Sequence, residues 1–465
     1  MTLKSALFSY CPSALRPMLD RIESSPLGYR VAKGMFWSLV GAFISRGSGL
    51  LASILVARAL GKAGFGELGI VQSTIGMLGT FAGFGLGMTA TKFIAEFRNS
   101  DPQKAGRILG LSSRFAWITS SISALVLLLF APWLATHTLA APNLAGLLRI
   151  GSLFLLLSAV NGAQIGALSG FEAFKTVAKI SLWCGLLNFP LMVGGVYIAG
   201  ITGALWGTVL STAFNWLLNH LAIRKECAKA AVPYTYKGCW REKTALWKFS
   251  LPVLVSSLFF APTEWVLNAM LVNQPDGYAQ MGLLNAATRW QALIIYLPNM
   301  LSSLTLPILS NLIGENQLQQ YKKMLLVNLA LLSGIALLFA IPVSILSKPI
   351  MSSYGKEFTE GSLVLVVVSA YTVLWAANIV VGQAIWSTGA STQGMVFGGL
   401  RAFTLLSAGW LLVRYGALGI ASAFLVSYVL HTLYQAVYIK FRIGSHFNMT
   451  EILEGSPGAA SKPAS

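Results

Sequence analysis

Four ionisable residues stand where a chain this apolar should carry none. Arg46 lies in AFISRGSGLLAS, Arg289 in LNAATRWQAL, Arg401 in FGGLRAFTLL and Glu264 in FFAPTEWVLN. Arg46 is thirteen residues beyond Lys33, and Arg289 eleven beyond Tyr278. At 1.5 Å per helical residue these are depths of roughly 20 and 17 Å, near the middle of a hydrocarbon core about 30 Å thick. A central arginine costs about 2.5–3.5 kcal/mol to insert, so three cost on the order of 10 kcal/mol. Of fifteen Asp and Glu, only Glu264 lies well inside an apolar run. One carboxylate neutralises one arginine and leaves at least two positive charges over. The chemistry this suits is electrostatic capture of an anion in a water-filled, cationic cavity; a structural bond to a carbonyl or to Glu264 is the alternative. Glu264 follows Pro262, which frees a backbone carbonyl, and is a candidate site for a coupling proton or sodium ion or a plain ion-pair partner.

The neighbours of these charges fit a cavity wall. Ala42, Ser45, Arg46, Gly49 and Ser53 share one helical face, as do Asn285, Arg289, Tyr296 and Asn299 with Ala292 between them. Arg46, Arg289, Arg401, Asn285 and Tyr296 are therefore the candidate binding residues. Gly76, Gly79, Gly83 and Gly87, with Gln72 below, line another face, for which close helix packing is the simpler reading. Arg149 sits near a helix end and can snorkel. Pro190, Pro298 and Pro307 are candidate hinges. His137, His220, His431 and His446 are scattered, and Cys11, Cys184, Cys227 and Cys239 show no CxxC spacing. No catalytic residue, metal site or cofactor is expected, and no Walker A motif supplies an ATPase.

The elements that must hold these residues are membrane helices. The chain of 465 residues is 55% hydrophobic and 10% charged, with mean hydropathy +0.68. Its long apolar runs lack the alternation of a β-barrel. We read an all-α polytopic protein of twelve spans, near 34–57, 67–89, 112–134, 146–168, 176–198, 202–223, 247–271, 279–304, 323–346, 361–386, 392–413 and 417–439. Residues 1–33 form an N-terminal segment without a cleavable signal, whose apolar and basic residues suit a membrane surface or a tail. Residues 34–223 and 247–440 form two six-span lobes joined by a basic linker, 224–246, and 441–465 read as a disordered tail.

Placing the N-terminus in the cytoplasm puts 24 Lys and Arg on that side and five on the other: Arg58, Lys62, Lys348, Lys356 and Arg414. That asymmetry orients both termini inward. It also absorbs most of the +18 net charge and removes the case for nucleic acid. Residues 203–224 and 419–440 each run from a glycine, through a serine eight residues on, to a basic residue at the end. With six spans per half they indicate parallel repeats about a central path.

The runs VARALGKAGFGELGIVQS (56–73), GLGMTATKFIAE (85–96), GALSGFEAFK (166–175), FSLPVLVSSLFFAPTEWV (249–266), MGLLNAATRWQALIIYLPNMLSSLTLPILSNL (281–312) and IMSSYGKEF (350–358) appear in this order. They resemble bacterial polysaccharide and O-antigen (Wzx-type) flippases of the multidrug/oligosaccharidyl-lipid/polysaccharide (MOP) exporter superfamily. The resemblance implies two lobes facing across a cavity open alternately to each side. The implied cargo is an oligosaccharide on undecaprenyl pyrophosphate, moved across the bacterial cytoplasmic (inner) membrane for O-antigen or other surface polysaccharide. Lipid II flippases of the superfamily carry cavity arginines on spans one and eight, a role it transfers to Arg46 and Arg289. Partners would be membrane lipids, a polysaccharide polymerase and a chain-length regulator. Two rivals are a cation-coupled drug exporter, which needs acidic cavity residues, and a polymerase or ligase of lipid-linked glycans, which needs a large exterior loop.

Overall fold

The computed structural model describes residues 26–302, 305–315, 317–388 and 391–454. Cys11 and the rest of 1–25, like the last residues 455–465, lie outside the described residues. All regular structure among the described residues is helical. Among the described residues, six helices are long and apolar enough to cross a membrane, seven if one bent pair counts as a span. Apolar side chains point outward along them, as at Leu129 and Leu338, which suits contact with lipid tails. The chain is a multi-pass membrane protein.

The helices are punctuated where backbone chemistry demands it. Helix α1 (Pro26–Gly83) bends at Gly61, whose φ of 68° only glycine takes without strain. After α2 (Leu86–Phe97) comes α3 (Pro102–Trp133), started by Pro102 and capped by Asp101, which accepts from the Lys104 amide at 2.9 Å. Helix α4 covers Leu144–Gly170 and α5 Phe174–Lys229, broken at Ala199 and Gly200. Helices α6 (Leu251–Ser257) and α7 (Ala261–Val272) are separated just before Pro262, which has no N–H for the Leu258 carbonyl. Helix α8 (Gly277–Ile294) ends at the residue whose carbonyl Pro298 cannot serve, and α9 (Tyr296–Ser302) and α10 (Thr305–Gly314) leave at 42°. A helix break thus falls at Pro298, whereas Pro190 lies within α5 short of its break at Ala199 and Gly200 and interrupts nothing. Pro307 falls in the first turn of α10, where a missing N–H costs nothing.

The remaining helices are α11 (Leu318–Ile345), α12 (Ser347–Tyr354), α13 (Ser362–Ser387), α14 (Ser391–Leu412) and α15 (Gly416–Glu454). Helix α15 continues past residue 441 into the stretch expected to be a disordered tail. No proline interrupts it before Pro457.

Within the first half α1 packs on α5, and α3 on α4; within the second, α13 packs on α11 and α15, and α14 on α15. The serines of the paired sequence runs make matching bonds. Ser211 Oγ donates to the Cys184 carbonyl at 3.5 Å and Ser427 Oγ to the Arg401 carbonyl at 3.2 Å. Cys184, Cys227 and Cys239 are buried and free.

The halves meet where α1 crosses α8. A methyl on Gly66 would overlap the Tyr278 carbonyl, and one on Gly282 the Lys62 carbonyl, so two backbones touch directly. Around them Phe65 packs on Tyr354 and Phe358 at 6.2 and 6.1 Å. Arg58 Nε donates to the Ser353 carbonyl at 2.6 Å, Glu357 accepts from the Lys62 amide at 2.9 Å, and Lys62 pairs with Glu360 at 3.3 Å.

Candidate functional site

The small-residue face of α1 and the break between α8 and α9 bring Arg46, Tyr296 and Arg289 into one region. The Arg46 guanidinium lies 4.1 Å from the Tyr296 ring centroid, close enough for a cation–π contact. Its Nη1 reaches the Ala292 carbonyl at 3.4 Å, and the side chain is otherwise exposed. Tyr296 holds this place because it is the first residue beyond the bend that Pro298 imposes. Arg289, one turn before Ala292, donates from Nη2 to Gln72 Oε1, while its buried Nε has no partner. Neither arginine meets a carboxylate among the described residues.

Residues 72 to 74 bind the second half in succession. Gln72 takes Arg289, Ser73 Oγ accepts from Asn268 Nδ2 at 2.8 Å, and Thr74 Oγ1 accepts from Trp265 Nε1 at 2.9 Å. A buried charge-assisted bond is worth about 1.5–3 kcal/mol and a neutral one about 1, so this seam orients α7 and α8 against α1. Asn268, Ser73 and Thr74 were not singled out from the sequence, because nothing in one helix tells which residue of another it will meet.

Other expected site residues stand elsewhere. Asn285 is buried beside Gly69 and donates from Nδ2 to the Phe65 carbonyl at 3.2 Å; its amide anchors the α1–α8 crossing and does not join Arg46. Arg401 is 1% exposed and sits among α7, α14 and α15. Its guanidinium lies 4.6 Å from the Tyr428 ring and 5.1 Å from that of Phe260, and Nη2 donates to Tyr428 Oη at 3.0 Å. Glu264 stands 3.7 Å away, half exposed, while Arg401 Nε and Nη1 are unpartnered. The two clusters are connected. Tyr371 on α13 stacks on Tyr428 at 5.8 Å and donates from Oη to Gln291 Oε1 at 3.2 Å, two residues past Arg289.

The glycine face divides. Gly87 packs against Gly162, but a methyl added at Gly76 or Gly83 would meet nothing within 4 Å. Gly79, Gly83, Ser158, Gly162 and Ser257 border a cavity of about 430 Å³, so close packing explains only part of the stripe. Among the described residues, no group of His, Cys, Asp and Glu is placed to hold a metal.

Three comparisons place this geometry. The family model "polysaccharide biosynthesis protein" matches residues 31–313, more than half of the chain. This chain belongs to that family. It is 26% identical to the lipid III flippase of Escherichia coli (strain K12) over 411 residues, covering 86% of this chain and 96% of the relative. It is 21% identical to the EPS I polysaccharide export inner membrane protein EpsE of Ralstonia solanacearum over 450 residues, covering 92% and 100%. Among solved structures, an inward-facing multidrug resistance MATE family transporter of the MOP superfamily superposes with a TM-score of 0.71 at 15% identity, covering 88% of this chain and 98% of that one. The kinship with MOP-type polysaccharide flippases drawn from the six sequence runs thus holds, and the fold is of the MATE type. These relatives are named as a flippase and an export protein, which supports a transporter in general.

Proposed function

We propose that the protein flips an oligosaccharide linked to undecaprenyl pyrophosphate from the cytoplasmic to the outer leaflet of the bacterial inner membrane, for O-antigen or another surface polysaccharide. The observation that supports this reading is that Arg46, against Ala292 and Tyr296, and Arg289, one turn earlier on α8, have no carboxylate partner among the described residues. A pyrophosphate brings at least two negative charges, and guanidinium groups replace its water shell in fixed directions. The small-residue cavity of Gly79, Ser158 and Ser257 leaves room for sugar hydroxyls, and the isoprenoid tail stays in lipid between the halves. A drug exporter for cations would place carboxylates here instead.

The reading takes twelve traverses in two lobes with both termini inside. Phe174–Lys229 has 56 residues, about 84 Å of helix, and so folds back at Gly200 into two crossings; α1 does the same at Gly61. Alternating access is a rocking of one lobe on the other, opening the crossing held by Gly66 and Gly282. Glu264 beside Arg401 is the place for proton or sodium coupling, relayed through Tyr428, Tyr371 and Gln291 to α8; consumption of cargo by a polymerase and its chain-length regulator is the other source of direction.

The test is Arg46→Ala and Arg289→Ala at wild-type protein levels in the native host. Each removes a charge-assisted contact worth about 1.5–3 kcal/mol, a 10- to 150-fold loss. Surface polysaccharide should fall and the lipid-linked unit accumulate facing the cytoplasm, while lysine at either position restores part of it. Normal export by both alanine variants refutes the proposal.

A further inference from the structure

The linker between the halves builds a second cationic site, away from Arg46. Its chain from Val232 lies in a groove on α3 cut by Gly106 and Gly110. A methyl on Gly106 would overlap the Pro233 carbonyl, and one on Gly110 the Thr235 carbonyl. Arg107 Nε then clamps the linker through Glu242 Oε1 at 2.9 Å, and Cys239 is fully buried beneath it. The linker is thus a fixed part of the first half.

Between this strap and α3 lies a cavity of about 370 Å³, bordered by Gln103, Arg107, Thr235, Lys237, Gly238 and Arg241. At a water's share of about 30 Å³ it has room for roughly twelve waters, ample for a phosphate ester. The turn at Gly238, with φ of 70°, aims the arginines together: the Cβ it lacks would stand 3.8 Å from Arg107 Cδ and 3.9 Å from Arg241 Cδ. Glu242 answers Arg107, and Asp101 is occupied capping α3. Lys237 and Arg241 carry no ion pair among the described residues.

Three aromatic side chains mark the level of this cavity in the membrane. Tyr236, Trp240 and Trp247 flank it in sequence and are 42%, 44% and 64% exposed, where a soluble surface would bury them. Exposed Tyr and Trp belong at the headgroup layer, and basic residues beside a span attract anionic lipid. We infer that the cavity between the linker and α3 binds the phosphate of an anionic phospholipid of the leaflet on the linker's side. The lipid would tether the strap to the membrane while the second half moves. The inference rests on the chain spanning a membrane and is independent of what the Arg46 site carries.

Full-length protein in a neutral detergent is titrated with short-chain phosphatidylglycerol, with phosphatidylcholine of the same chain length, and with inorganic pyrophosphate, and bound species are counted by native mass spectrometry. Phosphatidylglycerol should bind at least tenfold tighter than phosphatidylcholine. The double variant Lys237→Ala/Arg241→Ala should weaken it about thirty-fold, which is ~2 kcal/mol at 1.4 kcal/mol per decade. Both residues are exposed, so the fold survives; Lys237→Arg/Arg241→Lys should keep binding, and Arg46→Ala/Arg289→Ala should leave it unchanged. The inference is overturned if the alanine double variant binds phosphatidylglycerol as wild type does, if the two lipids bind equally, if pyrophosphate displaces the lipid at equal concentration, or if the charge-keeping variant loses binding as alanine does.

Discussion

Gly66→Ala tests whether the α1–α8 crossing is the moving seal. The new methyl falls on the Tyr278 carbonyl, and the reciprocal Gly282→Ala falls on the carbonyl of Lys62. A side chain could rotate aside, but a backbone cannot, so the helices must separate. Overpacking of this kind costs about 1–3 kcal/mol. That cost applies only to the state in which the crossing is closed. The open-to-closed ratio should therefore rise about 5- to 150-fold. Spin labels at Ala63 and Lys356, exposed residues next to the Lys62–Glu357 contact between the halves, report the ratio as a long component in their distance distribution. Gly76→Ala and Gly146→Ala are matched controls, because nothing lies within 4 Å of either new methyl. Because both crossing variants wedge the same contact, their double should fall short of additive. If Gly66→Ala and Gly282→Ala give the control's distances, the crossing is a static contact and the reasoning fails.

Three further outcomes follow from named contacts. Glu357→Ala removes the cap on the Lys62 amide, worth about 0.5–2 kcal/mol, and should move the same spin-label ratio in the same direction as Gly66→Ala. Pro298→Ala restores an N–H for the Ile294 carbonyl and should raise the melting temperature, while export falls as Tyr296 leaves Arg46. Arg401→Leu should lower thermal stability, since it strands Glu264 at 3.7 Å and Tyr428 Oη at 3.0 Å, while the double variant Arg401→Leu/Glu264→Leu should be near neutral or stabilising; Tyr428→Phe, which strands a third donor of Arg401 beside Nε and Nη1, should cost about 1–3 kcal/mol.

The buried or unpaired charges were legible in the sequence and their partners were not. Arg46 and Arg289 stand out because an apolar run gives a charge no cover. Pro262 and Pro298 announce breaks because each deprives one identified carbonyl of its hydrogen bond. Pro190 obeys the same rule and yet lies within continuous helix. Asn285 shares the Arg289 face at helical spacing, but Gly69 on another helix lets it sink into the crossing. Arg401 stands in as apolar a run as the others, and only α15, with Tyr428, decides that it is buried between helices. Gln291 and Tyr371 are ordinary residues of apolar helices until a stack and a hydrogen bond join them.

The charge balance is where these placements matter most. The sequence sets one carboxylate and three arginines well inside apolar runs and leaves open which arginine Glu264 serves. Glu264 stands beside Arg401, so that pair is nearly neutral and the whole excess falls on Arg46 and Arg289. Had Glu264 met Arg289, the helix break would hold a single positive charge beside a neutral pair, and a monoanion would suit it as well as a pyrophosphate. On the proposed function, the cost of two uncompensated cations, about 5–7 kcal/mol on insertion scales, would be borne in the empty protein and relieved when a dianion arrives. A pyrophosphate cargo would then bind most strongly where the resting protein is least stable, and the same two charges would favour the state that keeps water at the site until it comes.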